Sequence, residues 1–377
     1  MMRVLLAITL ALLTSEVRAE APGHSTAIVV APIHDAQVVR GDDGRDHVEY
    51  ELLVINAFAG PVTLANVVVV DPAGNTLATI AGPALAAATQ TLLTQSPGAT
   101  IPASAVVSVD IDLALTPGAA PASLSHRIAY TIAPDAPMAT LLASMTVEGP
   151  VVSVDRAAPF IIKPPLKGKG WFAVNGCCGP NVHRDTRIAI DGSRIATSET
   201  FAIDWTRVEN GRMFEGDGGK NEQHYAFGAD LLAVAAGTVV ATRDGMPEEA
   251  PFKPVLSVKA PEDYGGNHVI IEIAPKVFAV YAHVKTGSVA VKVGDRVKAG
   301  DVVGRLGNSG NSTAPHLHFA LLDKPNFFAG RSLPYVIDAF TYAGTARPSD
   351  LTTLNITGDP RPVSNAYPLY LGLQDYP

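Results

Sequence analysis

Charged residues and cysteines are both scarce in this sequence of 377 residues. Only 17% of the residues are charged, and acidic side chains outnumber basic ones to give a formal net charge of −8. Because the chain is acidic and has no basic cluster, it is a poor candidate for nucleic-acid binding. The composition therefore predicts no nucleic-acid partner.

The only two cysteines, Cys177 and Cys178, are neighbours in the chain. A bridge between neighbours would need α-carbons closer than the usual ~4.4–6.8 Å. We therefore favour two reduced or intermolecularly paired thiols. A strained redox bridge and a thiolate held near a metal are the alternatives.

Long hydrophobic runs are also missing. The apolar run Val4–Leu13 is far shorter than the ~20 residues that span a bilayer, and no later segment approaches that length. Arg3 precedes this run and the small residues Ala19 and Ala21 follow it, which is typical of a secretory signal peptide. We predict a signal peptide at residues 1–19, no membrane span, and a periplasmic or secreted protein.

Segments of helical periodicity are scarce, whereas glycine (33) and proline (29) are abundant. Short apolar runs between turn signals are typical of an all-β protein. Residues 22–150 contain such runs at the spacing of a β-sandwich, and we predict an immunoglobulin-like domain there with a spacer or docking role. The runs are "HVEYELLVINAF", "VTLANVVVVDPAGN", "ASAVVSVDIDLAL" and "HRIAYTIA".

The composition changes after this first domain. Residues 151–170 contain the pair Pro164–Pro165 and alternating lysine and glycine, which predicts a linker. Residues 171–345 again alternate apolar runs with glycine turns, which predicts a second β-rich domain. The proline-rich segment 346–377 has no periodicity and is expected to be an extended C-terminal tail, laid on the domain or loosely ordered.

The second domain contains six of the ten histidines, and no histidine follows His318. In "APHLHFALL", His316 and His318 would point to the same face of a β-strand. A metallo-β-lactamase-like site would need an aspartate at the position of Ala320. A cupin site would need a histidine further downstream. Two histidines that only pack on a strand face remain the simplest alternative.

The segment Gly307–Phe319 resembles the "G-x-S-G-x-S-x-x-P-H-L-H-F" motif of the lysostaphin-type (LytM-domain) zinc metallopeptidases. Tyr281-Ala-His283 stands where that family has Tyr-x-His on a neighbouring strand, and "GTVVATRDG" is also family-like. The resemblance covers residues 170–325. It implies a β-rich peptidase domain of LytM type, with the duplicated hybrid motif, and one zinc ion as cofactor.

By this resemblance, His318 binds the metal, while His283 and His316 are catalytic residues beside it. The family's two other ligands are a histidine and an aspartate, usually as H-x-x-x-D, a spacing that this chain does not have. We favour His183 and Asp204, because "FAIDW" resembles a ligand strand of members with an inserted hairpin, whose tip would be "DGSR". The alternatives are His183 with Asp191, and His224 with Asp230.

The resemblance implies a secreted zinc metalloendopeptidase that hydrolyses peptide bonds in bacterial cell-wall peptidoglycan with a zinc-activated water molecule. Its substrates would be peptidoglycan peptides. One alternative is a non-catalytic LytM-like protein that regulates a separate cell-wall hydrolase, an amidase. Another is a structural wall-binding module that keeps the peptidase fold as a scaffold.

Overall fold

A computed structural model describes residues 24–92, 96–349 and 352–377 of the chain. The predicted signal peptide, residues 1–19, lies outside the described residues. Strands make up 47% of the structure and helices 6%, which confirms the all-β prediction. Within the described part of the chain, every helix is too short or too polar to cross a membrane.

The N-terminal domain consists of eleven strands and one short helix. Its elements are β1 (Ile28–Pro32), β2 (Ala36–Arg40), β3 (Asp46–Asn56), β4 (Val62–Val70), β5 (Thr76–Ala81), α1 (Gly82–Ala88), β6 (Thr89–Thr91), β7 (Thr100–Ile101), β8 (Val106–Leu115), β9 (Ser123–Ile132), β10 (Thr146–Glu148) and β11 (Val152–Asp155). The strands are ordered β5-β4-β9-β11-β2-β3-β8-β6, with β1 on β3, β7 on β4 and β10 on β9. Strand β11 pairs with β9 on one side and with β2 on the other. It therefore joins two halves of the sheet, β5-β4-β9 and β2-β3-β8-β6.

These two halves share one apolar core. In β3, Val48, Tyr50 and Leu52 point inward, and the facing residues of β4 and β9 belong to the same buried cluster. This alternation is the period-2 pattern of a sandwich strand. The intervening residues Glu49 and Glu51 are equally buried, because the second domain covers the outer face of β3. The immunoglobulin-like topology stays a prediction.

The second domain contains the remaining strands and a helix of one turn. Its elements are β12 (Phe160–Ile162), β13 (Gly168–Val174), α2 (Val182–Asp185), β14 (Ile188–Ile190), β15 (Arg194–Ala196), β16 (Ile203–Arg207), β17 (Asp230–Leu232), β18 (Gly237–Arg243), β19 (His268–Ala274), β20 (Val277–Ala282), β21 (Arg296–Val297), β22 (Val302–Arg305), β23 (Leu317–Leu322), β24 (Tyr335–Pro348), β25 (Leu354–Thr357), β26 (Arg361–Ala366) and β27 (Gly372–Tyr376). One 3₁₀ turn, Ala139–Leu141, lies in the N-terminal domain. Two more, Asn221–Gln223 and Pro261–Asp263, lie in the second domain.

The main sheet of this domain is ordered β12-β24-β27-β13-β16-β23-β20-β19-β18-β21, with β25 and β26 on β24. The hairpin β14–β15 and the pair β17–β22 stand apart from it. The central strands β16, β23 and β20 bury Trp205, Phe319 and Tyr281 in one large core. A rigid central sheet of this kind fixes the side chains at its strand ends.

The segments expected to be a linker and a tail are instead parts of the two sheets. Residues 151–170 contribute β11 to the first domain and β12 to the second, so the chain passes between the domains without a free spacer. Residues 346–377 contribute the end of β24 and three further strands, and β27 pairs with both β13 and β24. Tyr367 and Tyr376 are buried. Burial of these aromatic rings holds a proline-rich segment that has no pattern of its own.

The interpretation of Cys177 and Cys178 as two thiols is wrong in this structure. The two residues form a disulfide, and the cis peptide bond between them brings their α-carbons to 3.0 Å. The chain here is held by the hydroxyl of Tyr367, which accepts from the Cys177 N–H at 3.2 Å. Joined sulfurs offer no thiolate to a metal.

The edge between the domains buries a carboxyl group whose pKa predicts a pH effect on stability. Burial raises the pKa of Asp42 to about 6, although the Leu369 backbone and Arg361 oppose the shift, and Asp43 and His47 also face it. A folded-state pKa above the unfolded value of 3.8 means that this group's contribution to stability is present at low pH. That contribution is lost as the pH rises through about 6.

We therefore expect Asp42→Asn, which does not titrate, to gain stability relative to the wild type as the pH rises. The free energy of unfolding of the variant should gain about 1 kcal/mol on the wild type between about pH 5 and pH 8. Urea denaturation of both proteins across this range measures the difference. A difference that is constant with pH would contradict the assignment.

Candidate metal centre

Three neighbouring strands bring the candidate residues to one end of the central sheet. Asp204 on β16 lies directly opposite His318 on β23 in the antiparallel register. On the other side of β23, Ala282 of β20 is opposite His318, and His283 follows immediately after the strand. The register of two antiparallel pairs therefore gathers residues that are far apart in the sequence.

His183, Asp204 and His318 each place one donor atom within 4.8 Å of the other two. His183 Nε2 lies 3.1 Å from Asp204 Oδ2, and His318 Nδ1 lies 2.9 Å from Asp204 Oδ1. The rings of His183 and His318 meet edge to face with centroids 4.9 Å apart. Two imidazole nitrogens and one carboxylate oxygen at this spacing fit the donor set of a three-ligand zinc site.

The charges in this cluster are strongly coupled. Burial opposes the carboxylate, but His183 and His316 hold the pKa of Asp204 well below its usual range. Burial likewise opposes the charged form of His183, but Asp204 raises the pKa of this histidine to about 9. A buried carboxylate that remains ionised among imidazoles is suited to bind a divalent cation, which would replace the protons on those rings.

His183 reaches the cluster from the one-turn helix α2. The side chain of Asn181 caps this helix and accepts hydrogen bonds from the N–H groups of His183 (3.0 Å) and Arg184 (3.3 Å). His183 Nδ1 lies 3.2 Å from the carbonyl oxygen of Ala202, to which it donates when protonated. This contact leaves Nε2 directed at Asp204. A histidine that binds a metal through one ring nitrogen commonly has its other ring nitrogen held by a backbone carbonyl in this way.

The other candidate ligands lie elsewhere. Asp191 is exposed at the tip of the β14–β15 hairpin, in the left-handed conformation with φ of +51°. His224 donates from Nε2 to the carbonyl of Gly218 at 2.9 Å and packs against Phe214. Asp230 lies on β17, on the separate β17–β22 sheet. The structure therefore does not bring Asp191, His224 or Asp230 into the cluster around His318.

Two further histidines stand beside the cluster. The rings of His283 and His316 have centroids 4.7 Å apart, and His283 is 5.8 Å from the ring of His318. His283 Nδ1 lies 2.7 Å from the carbonyl of Ser309. His283 also has φ of +59°, a conformation that is costly for a residue other than glycine and is concentrated at functional sites.

The two histidines differ in their electrostatic surroundings. Burial, reinforced by His316 and His318, holds the pKa of His283 well below its usual value. Burial acts in the same direction on His316, but Asp204 outweighs it and raises the pKa of His316. His316 Nε2 lies 3.3 Å from Asp204 Oδ1, and its Nδ1 lies 2.8 Å from the carbonyl of Ala314. Neighbouring groups whose pKa values are pushed apart are suited to act as a base and an acid.

The glycine-rich loop before β23 holds these histidines by close backbone packing. Gly310 has φ of +76°, and a Cβ there would lie 2.3 Å from the backbone nitrogen of Gly266. Ser309 Oγ donates to the carbonyl of Val284 and accepts from the N–H of Asn267. The loop is thereby fixed against the segment that carries His283.

The site opens into a cleft with two different sides. A cavity of about 300 Å³ is lined by the histidines together with Glu199, Tyr264 and Asn311. A smaller and more apolar cavity on the other side is lined by Phe214 and Phe252. Asp204 and His316 line both cavities, so a bound chain could extend in two directions from the site.

Sequence reasoning missed two polar groups around the cluster. Asn175 Nδ2 donates to Asp204 Oδ2 at 2.9 Å, next to the contact with His183. Glu199 lies near enough to His183 to favour its charged form. Asn175 precedes Gly176 at the end of a strand pattern. Nothing in this placement predicts a contact with Asp204, which lies 29 residues further along the chain. Only the pairing of β13 with β16 brings it there.

The all-β fold thus brings together a buried His-Asp-His cluster that could hold a metal ion and two further histidines that could act as acid and base beside it. The profile of Peptidase family M23 matches residues 224–327. The chain therefore contains a peptidase M23 domain that includes residues 224–327. His283, His316 and His318 lie inside the matched range, and His183 and Asp204 lie before it.

Curated relatives match about a quarter of the chain. Peptidoglycan DD-endopeptidase ShyC of Vibrio cholerae is 32% identical over 95 residues, which is 25% of this chain and 19% of the relative. Lysostaphin of Staphylococcus simulans is 35% identical over 99 residues, which is 25% of this chain and 20% of the relative. The matched segment thus spans about a fifth of the length of these relatives.

Solved structures are also similar to this chain. The catalytic domain of the antimicrobial peptidase lysostaphin from Staphylococcus simulans has 22% identity and a TM-score of 0.23, over 44% of this chain and 88% of that chain. A zinc containing peptidase from Vibrio cholerae has 14% identity and a TM-score of 0.24, over 80% of this chain and 83% of that chain.

Proposed function

We propose that this protein is an exported zinc metalloendopeptidase that hydrolyses peptide bonds in bacterial cell-wall peptidoglycan. The observation that carries the proposal is the cluster of His183, Asp204 and His318 with His283 and His316 at one cleft. The peptidase M23 domain and the names of the curated relatives support the substrate class. Export rests on the predicted signal peptide.

The three donors of His183, Asp204 and His318 would hold one zinc ion. When bound, the ion would act as a Lewis acid on water and on the scissile carbonyl group. Removal of the metal with a chelator should therefore abolish hydrolysis, and added zinc should restore it.

The two remaining histidines each donate from Nδ1 to a backbone carbonyl, and they differ in what faces Nε2. His283 donates from Nδ1 to the carbonyl of Ser309, so its Nε2 has a free lone pair to take a proton from the attacking water. His316 donates from Nδ1 to the carbonyl of Ala314, and its Nε2 faces Asp204. We assign His283 as the base. Asp204 raises the pKa of His316, so this ring can carry protons on both nitrogens, and its Nε2–H would donate a hydrogen bond to the negative charge that develops on the carbonyl oxygen.

Peptide-bond hydrolysis is tested directly by counting the amino groups that it exposes. The purified chain without residues 1–19 is loaded with one equivalent of zinc and incubated with isolated peptidoglycan. New amino groups are labelled, and the released peptides are identified by mass spectrometry. We expect peptides with newly formed amino and carboxyl ends, in amounts that fall to background for His318→Ala.

A zinc-loaded, folded protein that releases no peptide from several peptidoglycan types would contradict the proposed activity. Release of glycan strands with intact peptides would contradict it as well. If the protein is inert alone but increases hydrolysis by an added cell-wall amidase, it is instead the non-catalytic regulator.

A further inference from the structure

The helix that carries His183 is tied to the N-terminal domain by two buried arginines. Arg184, the next residue, has no exposed surface, and Arg187 is 2% exposed. Arg184 donates from Nε (3.0 Å) and from a terminal nitrogen (2.8 Å) to Oε1 of Glu51 on β3. It also pairs with Glu49 and donates to the carbonyl of Tyr50 at 3.0 Å.

Arg187 makes a second set of contacts with the same domain. Its guanidinium donates to the hydroxyl of Ser108 at 2.7 Å and pairs with Asp110, both on β8. It also lies 3.4 Å from Glu51 Oε1. The acceptors on β3 and β8 thus match two guanidinium groups that come from the other domain.

Burial of these charges makes the contact specific. An unpaired buried guanidinium is strongly unfavourable, so Arg184 and Arg187 are stable in this place only beside the acidic groups of the sandwich. Although burial alone would raise it, Arg184 and Arg187 hold the pKa of Glu51 well below its usual range. The carboxylate is therefore ionised; its Oε1 contacts both arginines, and its Oε2 lies 2.7 Å from His34 Nε2.

Within its own domain, the segment around His183 is held by the Asn181 cap, by the carbonyl of Ala202, and by the hydroxyl of Thr197, which donates to the His183 carbonyl at 3.1 Å. Helix α2 contains four residues, far fewer than the ~12–15 that make an isolated helix even marginally stable. Successive residues on a helix point about 100° apart. The His183 ring therefore enters the metal cluster while the Arg184 side chain enters the sandwich.

We propose that the N-terminal sandwich positions the metal ligand His183 through Arg184 and Arg187, so that a complete metal centre requires both domains. Arg184 and Arg187 are positioning residues, because they act on the site through the backbone of α2 and of the two residues that follow it. The proposal rests on the proposed zinc centre and gives the N-terminal domain a role in it. It predicts that the affinity for zinc depends on contacts that lie outside the peptidase domain.

The test measures zinc affinity of the full chain by competition with a chromophoric chelator, with folding followed by circular dichroism. We expect Arg184→Leu to weaken zinc binding about 10- to 100-fold, as is typical for residues that orient a ligand. Arg184→Lys keeps the charge but loses the bidentate fork, and should weaken binding about tenfold. This second variant decides the matter if Arg184→Leu does not fold.

A matched control is Arg361→Leu. Arg361 also joins the second domain to the first, by donating to the carbonyl of Asp42 at 2.7 Å, but it has no contact with α2. Its loss should leave zinc affinity unchanged. Wild-type affinity in folded Arg184 variants would overturn the inference, and so would an equal loss in Arg361→Leu. Unchanged affinity in His318→Ala would instead overturn the zinc centre itself.

Discussion

Replacement of Asp204 by alanine is expected to abolish both zinc binding and peptidoglycan hydrolysis. Asp204 contacts His183, His316 and His318 and is the only carboxylate among them in the described cluster. Without it, a divalent cation would meet two neutral nitrogens and no negative charge. The loss of one of three ligands should reduce zinc in the purified protein to the background level, as measured by elemental analysis.

Asp191→Ala is the matched control for this result. Asp191 and Asp204 each end an "AID" triplet, but Asp191 lies exposed at a hairpin tip. The variant should retain one zinc ion and wild-type activity. The opposite pattern, with zinc lost in Asp191→Ala and kept in Asp204→Ala, would show that the ligand assignment is wrong. A folded Asp204→Ala protein with full zinc content would also contradict it.

The second large effect is expected for His316→Ala. This variant should keep its zinc, because His183, Asp204 and His318 remain, but its turnover should fall about 100-fold or more. The reason is that His316 would no longer stabilise the charge that develops on the carbonyl oxygen. Zinc content and the rate of release of new amino groups, measured on the same preparation, separate the two effects.

His268→Ala is the control for loss of a partly buried imidazole. His268 donates from Nδ1 to the carbonyl of Gly266 at 2.9 Å and packs against Phe327, and it does not line the cleft. Its removal should leave turnover close to the wild-type value. If His316→Ala loses zinc while His318→Ala retains it, the roles of the two histidines in "PHLHF" are reversed.

Local patterns were sufficient for several features. The alternation in "HVEYELLVINAF" predicts a sandwich strand, and β3 is that strand. The tip of the predicted hairpin at "DGSR" lies between β14 and β15. His316, immediately before β23, and His318, on it, both line the cleft, as predicted from the two-residue period of an extended chain. Each of these features depends on residues within a few positions of one another.

Other features depend on contacts between distant segments. No pattern within the triplet distinguishes Asp204 from Asp191, because each ends a separate copy of "AID". What separates them is the pairing of β16 with β23, which sets Asp204 opposite His318 across 114 residues. The strands β25–β27 were missed for a similar reason, since their proline-rich sequence becomes ordered only against β13 and β24.

The sequence by itself determined the all-β class, because strand period and glycine turns act over short distances. The histidine motif was identified by its resemblance to a known family. The tertiary structure alone decided which carboxylate joins the histidines, and where Arg184 and Arg187 go. Charged side chains in a loop are usually solvated, so their sequence gives no indication of burial. These arginines are buried beside His183 because acidic groups on β3 and β8 face them: Glu51 lies 133 residues from Arg184, and Asp110 lies 77 residues from Arg187.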